Sequence, residues 1–552
     1  MFIMYIIYIT VFIGIGNMST PWWKEAIIYQ VYPRSYLDTN GDGIGDLDGI
    51  TDRLDYIAKL GVDIIWISPF FKSPMRDFGY DVADYCDVDP MFGTLADFDR
   101  MIAKAHGLGL KIMIDQVMSH TSEDHPWFKE SRSSRDNPKS DWYIWADPLP
   151  DGNPPNNWLS VFGGSSWQWD SRRKQYYMHN FLVSQPDLNF HNPEVQQAHL
   201  DALRFWLERG VDGVRMDACN FHFHDRQLRS NPPALVRDTS TVSDANPYGM
   251  QAHIHDKSQP ENVAFLEKLR VLLDEYGAVA IGEVGADDSL AVMAEYTAGG
   301  NKLHMAYSFN LLTADSSAGH IRKQVEDFKA RVKDGQPSWS VGNHDAVRVV
   351  TRWNGMSNQA AFAKLVLAMQ LSLKGTPCLY QGDELAFSEA DVPYELIQDP
   401  YGKTFWPEFK GRDGCRTPIA WTNGAHGGFT SGTPWLPVAE EHKAIAASVQ
   451  ETDPDSPLNF ARRMIAWRKS MPQLTRGDIV FYDAPEPVLA LRRDLEGERS
   501  VIGLFNLGAA PVNFRLPAAQ GAQKLEQPGL PGDVVDGEVQ LPGYGAWFGY
   551  AA

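Results

Sequence analysis

The chain has 552 residues, far more than the roughly 100–200 of an ordinary domain, so one large domain with smaller additions is expected. Its 50 Lys and Arg residues against 70 Asp and Glu residues give a net charge of −20 and an isoelectric point near 5.2, which argues against nucleic acid as a partner. The four cysteines are widely scattered, and they predict neither a disulfide framework nor a zinc site.

The chain begins with an uncharged apolar run, from Phe2 to Gly16. The run is shorter than the ~20 residues that span a membrane, and it lacks the preceding basic residue of a secretion signal. We interpret residues 1–17 as an apolar leader or upstream read-through, with Met18 as the predicted start. This interpretation predicts a cytoplasmic protein with no membrane partner; a genuine signal would instead predict the periplasm.

From Trp22 onward, short β-rich apolar runs alternate with longer amphipathic stretches, which is typical of a parallel sheet wrapped by helices. The predicted strands are Ile27–Tyr32, Ile64–Ser68, Lys111–Asp115, Gly213–Asp217, Val279–Glu283, Met305–Phe309, Ser338–Asn343 and Thr376–Tyr380. The predicted helices include Leu95–Gly107, Gln196–Arg209, Asn262–Tyr276 and Gln359–Leu373. Eight strand–helix units predict an α/β fold, the (β/α)8 TIM barrel.

Two interruptions and a change of pattern predict the domain organisation. Residues 120–188 are rich in Pro, Asn, Trp and Ser and are predicted to form an inserted subdomain after the third strand. The barrel then comprises residues 18–119 and 189–471, with a helical excursion at about 386–455. Residues 472–552 alternate short apolar runs with Gly and Pro, which predicts a C-terminal antiparallel β domain.

Three predicted barrel strands end in a carboxylate, namely Asp217, Glu283 and Asp345. In such a barrel the carboxyl ends of the strands surround the active site, so these side chains are expected to converge. Two close carboxylates, one a nucleophile and one a proton donor, are what retaining glycoside cleavage requires. We expect Arg215 to hold the pKa of Asp217 down, and the charges of Asp217 and Asp345 to raise the pKa of Glu283.

These blocks, in this order, resemble the α-amylase family of glycoside hydrolases. The residues that carry the resemblance are Asp115–His120, Gly213–Asp217, Glu283–Val284 and Asn343–Asp345. Two further blocks, Gln185–Asn189 and Trp22–Tyr36, resemble the α-glucosidase and oligo-1,6-glucosidase branch. The resemblance implies that Asp217 is the nucleophile, Glu283 the general acid and then base, and Asp345 a stabiliser of the transition state.

The resemblance also implies a pocket for one glucosyl unit. Its implied substrate-binding residues are Asp77, Tyr80, His120, Phe162, Phe181, Arg215, His344 and Arg412. In the family a pair such as Asp77 and Arg412 closes the pocket beyond one sugar, which favours action at a non-reducing end. For Phe162 and Phe181, ordinary core packing is an equal alternative.

A loop near the N-terminus has calcium-loop spacing. Its oxygens come from Asp38, Asn40, Asp42, the Ile44 carbonyl and Asp46. The twelfth position is Gly49 where an EF-hand has a Glu, so a calcium sensor is excluded. The resemblance implies one structural Ca²⁺ in this loop, the alternative being a solvated acidic turn. No organic cofactor is implied.

The predicted function is therefore an exo-acting, retaining α-glucosidase that cleaves short α-glucosides or transfers glucose to hydroxyl acceptors. Ala218 departs from the Val that marks α-1,6 enzymes of this branch, so α-1,4 substrates such as maltose are favoured, with sucrose also plausible. The alternatives are an oligo-1,6-glucosidase, a sucrose isomerase or a trehalose synthase. A remote alternative is a non-catalytic partner resembling the heavy chain of an amino-acid transporter.

Overall fold

The computed structural model describes residues 21–237, 242–526 and 529–552. Residues 1–17 and Met18 lie outside this part, so the interpretation of the leader and the start stays a prediction. Among the described residues, no helix combines the length and apolar character that a membrane crossing needs.

The central element is a curled sheet of seven parallel strands. In spatial order the strands are Met305–Ser308, Val279–Val284, Gly213–Asp217, Lys111–Val117, Ile64–Ile67, Ile28–Val31 and Cys378–Tyr380. Because all seven run in one direction, their carboxyl ends lie at the same edge. The barrel fold predicted from the alternating pattern is confirmed.

The predicted strand Ser338–Asn343 is not a regular strand in the structure. Pro337 and Ser340 instead make single parallel bridges to Ala306 and Cys378, on the two edge strands of the sheet. Between them, the side chain of Gln370 donates to the Trp339 and Cys378 carbonyls at 2.8 Å, so part of the hydrogen bonding here is made by a side chain and not by a backbone ladder. The segment still occupies the position between the two edges.

Both faces of the barrel sheet are buried, and successive side chains alternate between them. Ile28, Trp66, Met113 and Ile281 pack inside the barrel. Their strand neighbours pack outward against the helices in a larger core. The same alternation turns the side chains of Arg215 and its neighbours at the carboxyl ends towards the interior.

Local sequence signals define the helices. The helix Leu95–Gly107 has a capping box, in which Thr94 and Asp97 satisfy each other's backbone amides. The helix Glu261–Tyr276 ends at Gly277, whose φ of 63° is left-handed. The other helices are Trp22–Glu25, Leu47–Leu60, Pro126–Ser131, Pro193–Glu208, Ser289–Thr297, Ala318–Arg331, Val349–Arg352, Gln359–Gln370, Pro400–Phe405, Asp413–Arg416, Glu440–Ala444, Ala447–Glu451, Pro457–Ser470 and Pro472–Arg476. Short 3₁₀ turns are Pro33–Ser35, Pro247–Met250, Ala298–Gly300, Phe309–Leu311, Gly355–Asn358, Tyr394–Leu396, Ala425–Gly428 and Pro517–Ala519.

The remaining strands form small antiparallel sheets outside the barrel. Within the predicted insertion the strands are Trp145–Ala146, Trp167–Asp170 and Gln175–Met178, and a separate pair is Phe71–Lys72 with Asp84–Val88. The C-terminal strands are Asp478–Phe481, Val488–Asp494, Val501–Asn506, Val512–Arg515, Gln523–Lys524, Asp533–Val535, Glu538–Leu541 and Ala546–Tyr550. They make a five-stranded and a three-stranded sheet, as expected for an antiparallel C-terminal region.

Candidate active site

The carboxyl ends of three neighbouring barrel strands meet at one guanidinium group. Arg215 Nη1 lies 2.6 Å from Asp217 Oδ1 and 2.8 Å from Asp115 Oδ1. Arg215 Nη2 lies 2.7 Å from Glu283 Oε1. The arginine side chain is fully buried. One buried cation therefore holds Asp217 and Glu283 close together, as the sequence predicted.

Aromatic side chains enclose the Arg215 guanidinium. The Trp66 ring centroid lies 4.9 Å from its central carbon, and the Tyr80 and Tyr307 rings lie 5.8 and 5.9 Å away. Trp66 Nε1 donates to Asp115 Oδ2 at 3.1 Å, which fixes that carboxylate as well. This enclosure excludes water and strengthens every charge interaction at the guanidinium.

Burial dominates the protonation of the two central carboxylates. Burial raises the pKa of Glu283 to about 7, although Arg215 acts in the opposite direction. The negative charges of Asp217 and Asp345 add to this rise, as expected. Burial also raises the pKa of Asp217 above its usual range. Arg215 lowers this pKa, as expected, but its effect does not offset the loss of water, so the net shift of the Asp217 pKa is upward.

Asp345 has the opposite balance of forces. Burial disfavours its charge, but His344, Arg412 and Arg416 together hold its pKa well below the usual range. Arg416 Nη2 lies 2.8 Å from Asp345 Oδ1, and Arg412 Nη1 lies 3.1 Å from the same oxygen. Asp345 therefore stays ionised, and its negative charge contributes to the raised pKa of Glu283.

Arg412 lines the cavity wall and pairs with several carboxylates. Its Nη2 donates to Asp77 Oδ1 at 3.1 Å and to Asp399 Oδ1 at 2.9 Å, in addition to the contact with Asp345. Asp77 Oδ2 accepts a hydrogen bond from Gln185 Nε2 at 3.0 Å. The predicted pair of Asp77 and Arg412 is present, and it is part of a larger buried ion network.

These side chains face a cavity of about 1300 Å³. Of the predicted residues, the cavity wall includes Asp77, Tyr80, His120, Phe162, Phe181, Asp217, Glu283, Asp345 and Arg412. Arg215 and His344 lie behind this wall and are fully buried. The structure therefore places these two beneath the carboxylates and the Tyr80 ring, which stacks on His344 at 5.4 Å.

Comparison with known proteins identifies the family. The model of the α-amylase catalytic domain matches residues 30–477 of the chain. A probable α-glucosidase of Rhizobium meliloti (strain 1021) is 55% identical over 534 residues, which covers 96% of either protein. The chain belongs to the α-amylase family.

Solved structures of the α-amylase fold agree over nearly the whole chain. An α-glucosyl transfer enzyme, XgtA, superposes with a TM-score of 0.95 at 58% identity, covering 97% of this chain and 100% of that one. The trehalulose synthase MutB from Pseudomonas mesoacidophila MX-45 superposes with a TM-score of 0.87 at 33% identity, with the same coverage. The resemblance inferred from the ordered blocks, and the class of glycoside hydrolase, are confirmed.

Two aromatic residues of the predicted insertion, Phe162 and Phe181, line the cavity of this α-amylase family member. The Phe162 ring lies 5.7 Å from the Phe181 ring and 5.0 Å from the Tyr401 ring. The Arg412 guanidinium lies 5.1 Å from the Phe162 centroid, and the His120 ring lies 5.1 Å from Phe181. Phe162 and Phe181 therefore pack against neighbouring side chains and also form part of the cavity wall.

The predicted calcium loop is folded around its own side chains. Asp38 Oδ1 accepts from the Asn40 and Gly41 amides, and Asp46 Oδ1 accepts from the Gly49 amide as the cap of the following helix. Among the described residues, no three His, Cys, Asp or Glu side chains are grouped as a metal site. A cation here would thus depend on the amide oxygen of Asn40 and the backbone carbonyl of Ile44 as well.

The sequence argument overlooked several residues of the site. Asp399 and Arg416 lie in the excursion after the last barrel strand and complete the ion network around Arg412. Tyr307 lies on the short strand Met305–Ser308. Asp115 is different, because it ends the third predicted strand and therefore carries a signal in the sequence. For the other three, no spacing in the sequence marks a contact with residues so distant along the chain.

Proposed function

We propose that this protein is a retaining, exo-acting α-glucosidase that works through a β-glucosyl enzyme. Asp217 attacks the anomeric carbon while Glu283 gives its proton to the leaving oxygen. Glu283 then removes a proton from water or another hydroxyl, which attacks the same carbon and releases Asp217. The observation that carries the proposal is the contact of Asp217 Oδ1 and Glu283 Oε1 with two nitrogens of Arg215, at 2.6 and 2.7 Å.

The charges around the site support these roles. A carboxyl with a pKa of about 7 holds a proton near neutrality and can serve as the acid. Asp345, with its pKa well below the usual range, supplies a permanent negative charge for the oxocarbenium-like transition state. The proposed nucleophile, Asp217, contacts a permanent cation that favours its ionised form.

The closed end of the cavity supports action at a chain end. Arg412, Asp77 and His120 line the cavity wall, and the Arg412 side chain is only 9% exposed. The polar atoms of these residues provide donors and acceptors for the hydroxyls of one terminal glucose. A polymer could not pass through this ion network, so an open-groove endo-amylase is disfavoured.

Acceptor and linkage preference are the finer part of the proposal. Hydrolysis gives glucose, whereas interception by an alcohol or sugar gives a new glucoside, as the name of XgtA indicates for that enzyme. Ala218 lines the cavity next to the proposed nucleophile, and we favour α-1,4 substrates such as maltose, then sucrose. The presence of all three proposed catalytic carboxylates favours an enzyme over a non-catalytic transporter partner.

The test compares initial rates of glucose release from maltose, isomaltose and sucrose at equal concentration. The wild type should act on maltose fastest, and Asp217→Ala should lose activity on all three while remaining folded. Asp274→Ala, on the exposed side of a helix, is the matched control and should retain full activity. A folded wild type that is inert on all three substrates would refute the proposal for these glucosides.

We further propose that the loop from Asp38 to Asp46 binds one structural Ca²⁺. The burial of both terminal aspartates supports this, and burial together with the charge of Asp38 raises the pKa of Asp46. The ion would pin the loop to the barrel and would take no part in the reaction. Chelation should lower the thermal midpoint, and Asp42→Ala should remove that response. An unchanged midpoint in the chelated wild type would contradict the proposal.

A further inference from the structure

Tyr307 lies directly beside the proposed acid/base residue. It belongs to the strand Met305–Ser308, and the parallel register places it opposite Glu283 of the neighbouring strand. Its ring is part of the packed barrel interior, and only 2% of the residue is exposed. Tyr307 does not line the cavity. It therefore reaches the site from below and does not touch a bound sugar.

The hydroxyl of Tyr307 has a defined hydrogen-bond arrangement. It accepts from Arg215 Nη2 at 2.8 Å and from Arg215 Nε at 3.2 Å. A guanidinium can only donate, so these contacts use the oxygen's lone pairs. The hydroxyl has one proton to give, and Glu283 Oε1 lies 3.1 Å away as its acceptor. The direction of this last bond follows from the other two.

We propose that Tyr307 is a positioning residue for the acid/base step, holding Glu283 Oε1 by donating its single hydroxyl proton to it. This inference rests on the proposed function, in which Glu283 is the acid and then the base. The other carboxyl oxygen, Oε2, accepts from the Ala218 amide at 2.9 Å. The Tyr307 hydroxyl and the Ala218 amide thus each donate a hydrogen bond to one oxygen of the Glu283 carboxylate. Tyr307 also links this carboxylate to Arg215, which binds Asp217 as well.

A hydrogen bond donated to a carboxylate stabilises its ionised form. Removing the Tyr307 hydroxyl should therefore make Glu283 keep its proton to higher pH. In a retaining mechanism, the basic limb of kcat/KM reports loss of the proton that the acid must donate. For Tyr307→Phe this limb should move upward by about one to two pH units, the size expected for one charge-assisted hydrogen bond.

The experiment measures kcat/KM against pH for the wild type and Tyr307→Phe, with the best substrate among maltose, isomaltose and sucrose. An aryl α-glucoside with an activated leaving group is run in parallel and should show a weaker decline on the basic side in both proteins, because its departure needs less protonation. Tyr296→Phe is the matched control. That tyrosine is also buried, and its hydroxyl accepts from Asn262 Nδ2 at 2.8 Å, outside the carboxylate cluster. Its pH profile should coincide with that of the wild type.

Three outcomes would overturn the inference. The first is a folded Tyr307→Phe whose activity falls without any movement of the basic limb. The second is movement of the acid limb alone, which would mean that Tyr307 acts on Asp217 through Arg215. The third is an equal shift in Tyr296→Phe. A wild type that cleaves no α-glucoside would instead overturn the proposed function, so the two failures are distinguishable.

Discussion

Replacement of Arg412 by alanine tests the ion network that Arg412 forms at the cavity wall. Arg412 contacts the carboxylates of Asp77, Asp345 and Asp399 at 2.9–3.1 Å, and its side chain is 9% exposed. Truncation would leave buried negative charges without a shared partner, which typically costs about 3–5 kcal/mol of stability. Asp345 would keep Arg416 as a partner, whereas Asp77 would lose its only ion pair with an arginine among the described residues.

The loss should also affect catalysis. Arg412→Ala removes one of the groups that fix Asp345 and Asp77 around the terminal glucose, and a displacement of about 1 Å can cost on the order of 100-fold in rate. We expect kcat/KM for the best α-glucoside to fall by about that factor. Arg412→Lys should recover only part of the lost kcat/KM, because a lysine ammonium cannot bind several carboxylates at once as the planar guanidinium does.

The assay combines chemical denaturation with initial rates for Arg412→Ala, Arg412→Lys and a control. The control is Arg204→Ala, which removes an ion pair between exposed side chains on the barrel exterior and should change neither quantity. The reasoning is refuted if Arg412→Ala unfolds at the denaturant concentration of the wild type and keeps its kcat/KM. It is equally refuted if the lysine variant behaves as the alanine variant does in both measurements.

Two further predictions follow from local features. The kcat/KM of the wild type should decline above about pH 7, because the pKa of Glu283 is raised to about 7 and the acid must hold its proton; activity still rising at pH 9 would contradict this. Below neutrality the rate should also decline as Asp217, whose pKa burial raises, takes up a proton and ceases to be a nucleophile. Thr94→Ala removes the capping box of the helix Leu95–Gly107 and should lower the free energy of unfolding by about 1 kcal/mol without altering kcat/KM. Chemical denaturation measures the change in stability of Thr94→Ala, and initial rates measure its kcat/KM. A loss of activity in the folded variant would contradict the expectation of an unchanged kcat/KM.

The best-predicted elements are those whose bounds depend on residues close together in the sequence. The strand Gly213–Asp217 and the helix Leu95–Gly107 have the predicted bounds in the structure. In the first, the apolar Val214 and Met216 alternate with the charged Arg215 and Asp217, and the second is a periodic stretch with a capping box at its N-terminus. The segment after Pro337 failed as a strand, because a hydrophobic pattern does not reveal which backbone groups find partners across the sheet.

Contacts between distant residues explain what the sequence did not show. Asp399 and Arg416 reach the site from a segment of short helices and turns, and their side chains carry no periodic signal. Tyr307 reads as one more apolar strand residue, and only its position opposite Glu283 and beside Arg215 gives its hydroxyl partners. The family blocks located the carboxylates, but the hydrogen bonds that set their protonation depend on neighbours outside those blocks.

The number of cations around each carboxylate decides its protonation. Asp345 has two arginines within 3.1 Å, and its pKa lies well below the usual range despite burial. Asp115, Asp217 and Glu283 share one guanidinium, and burial raises the pKa of each of them. Three buried carboxylates beside a single cation carry an excess of negative charge, which a proton relieves at low cost. Because this cluster has only one cation, Glu283 keeps near neutrality the proton that it donates in the acid step. A second arginine at the cluster would lower the pKa of Glu283 and remove that proton.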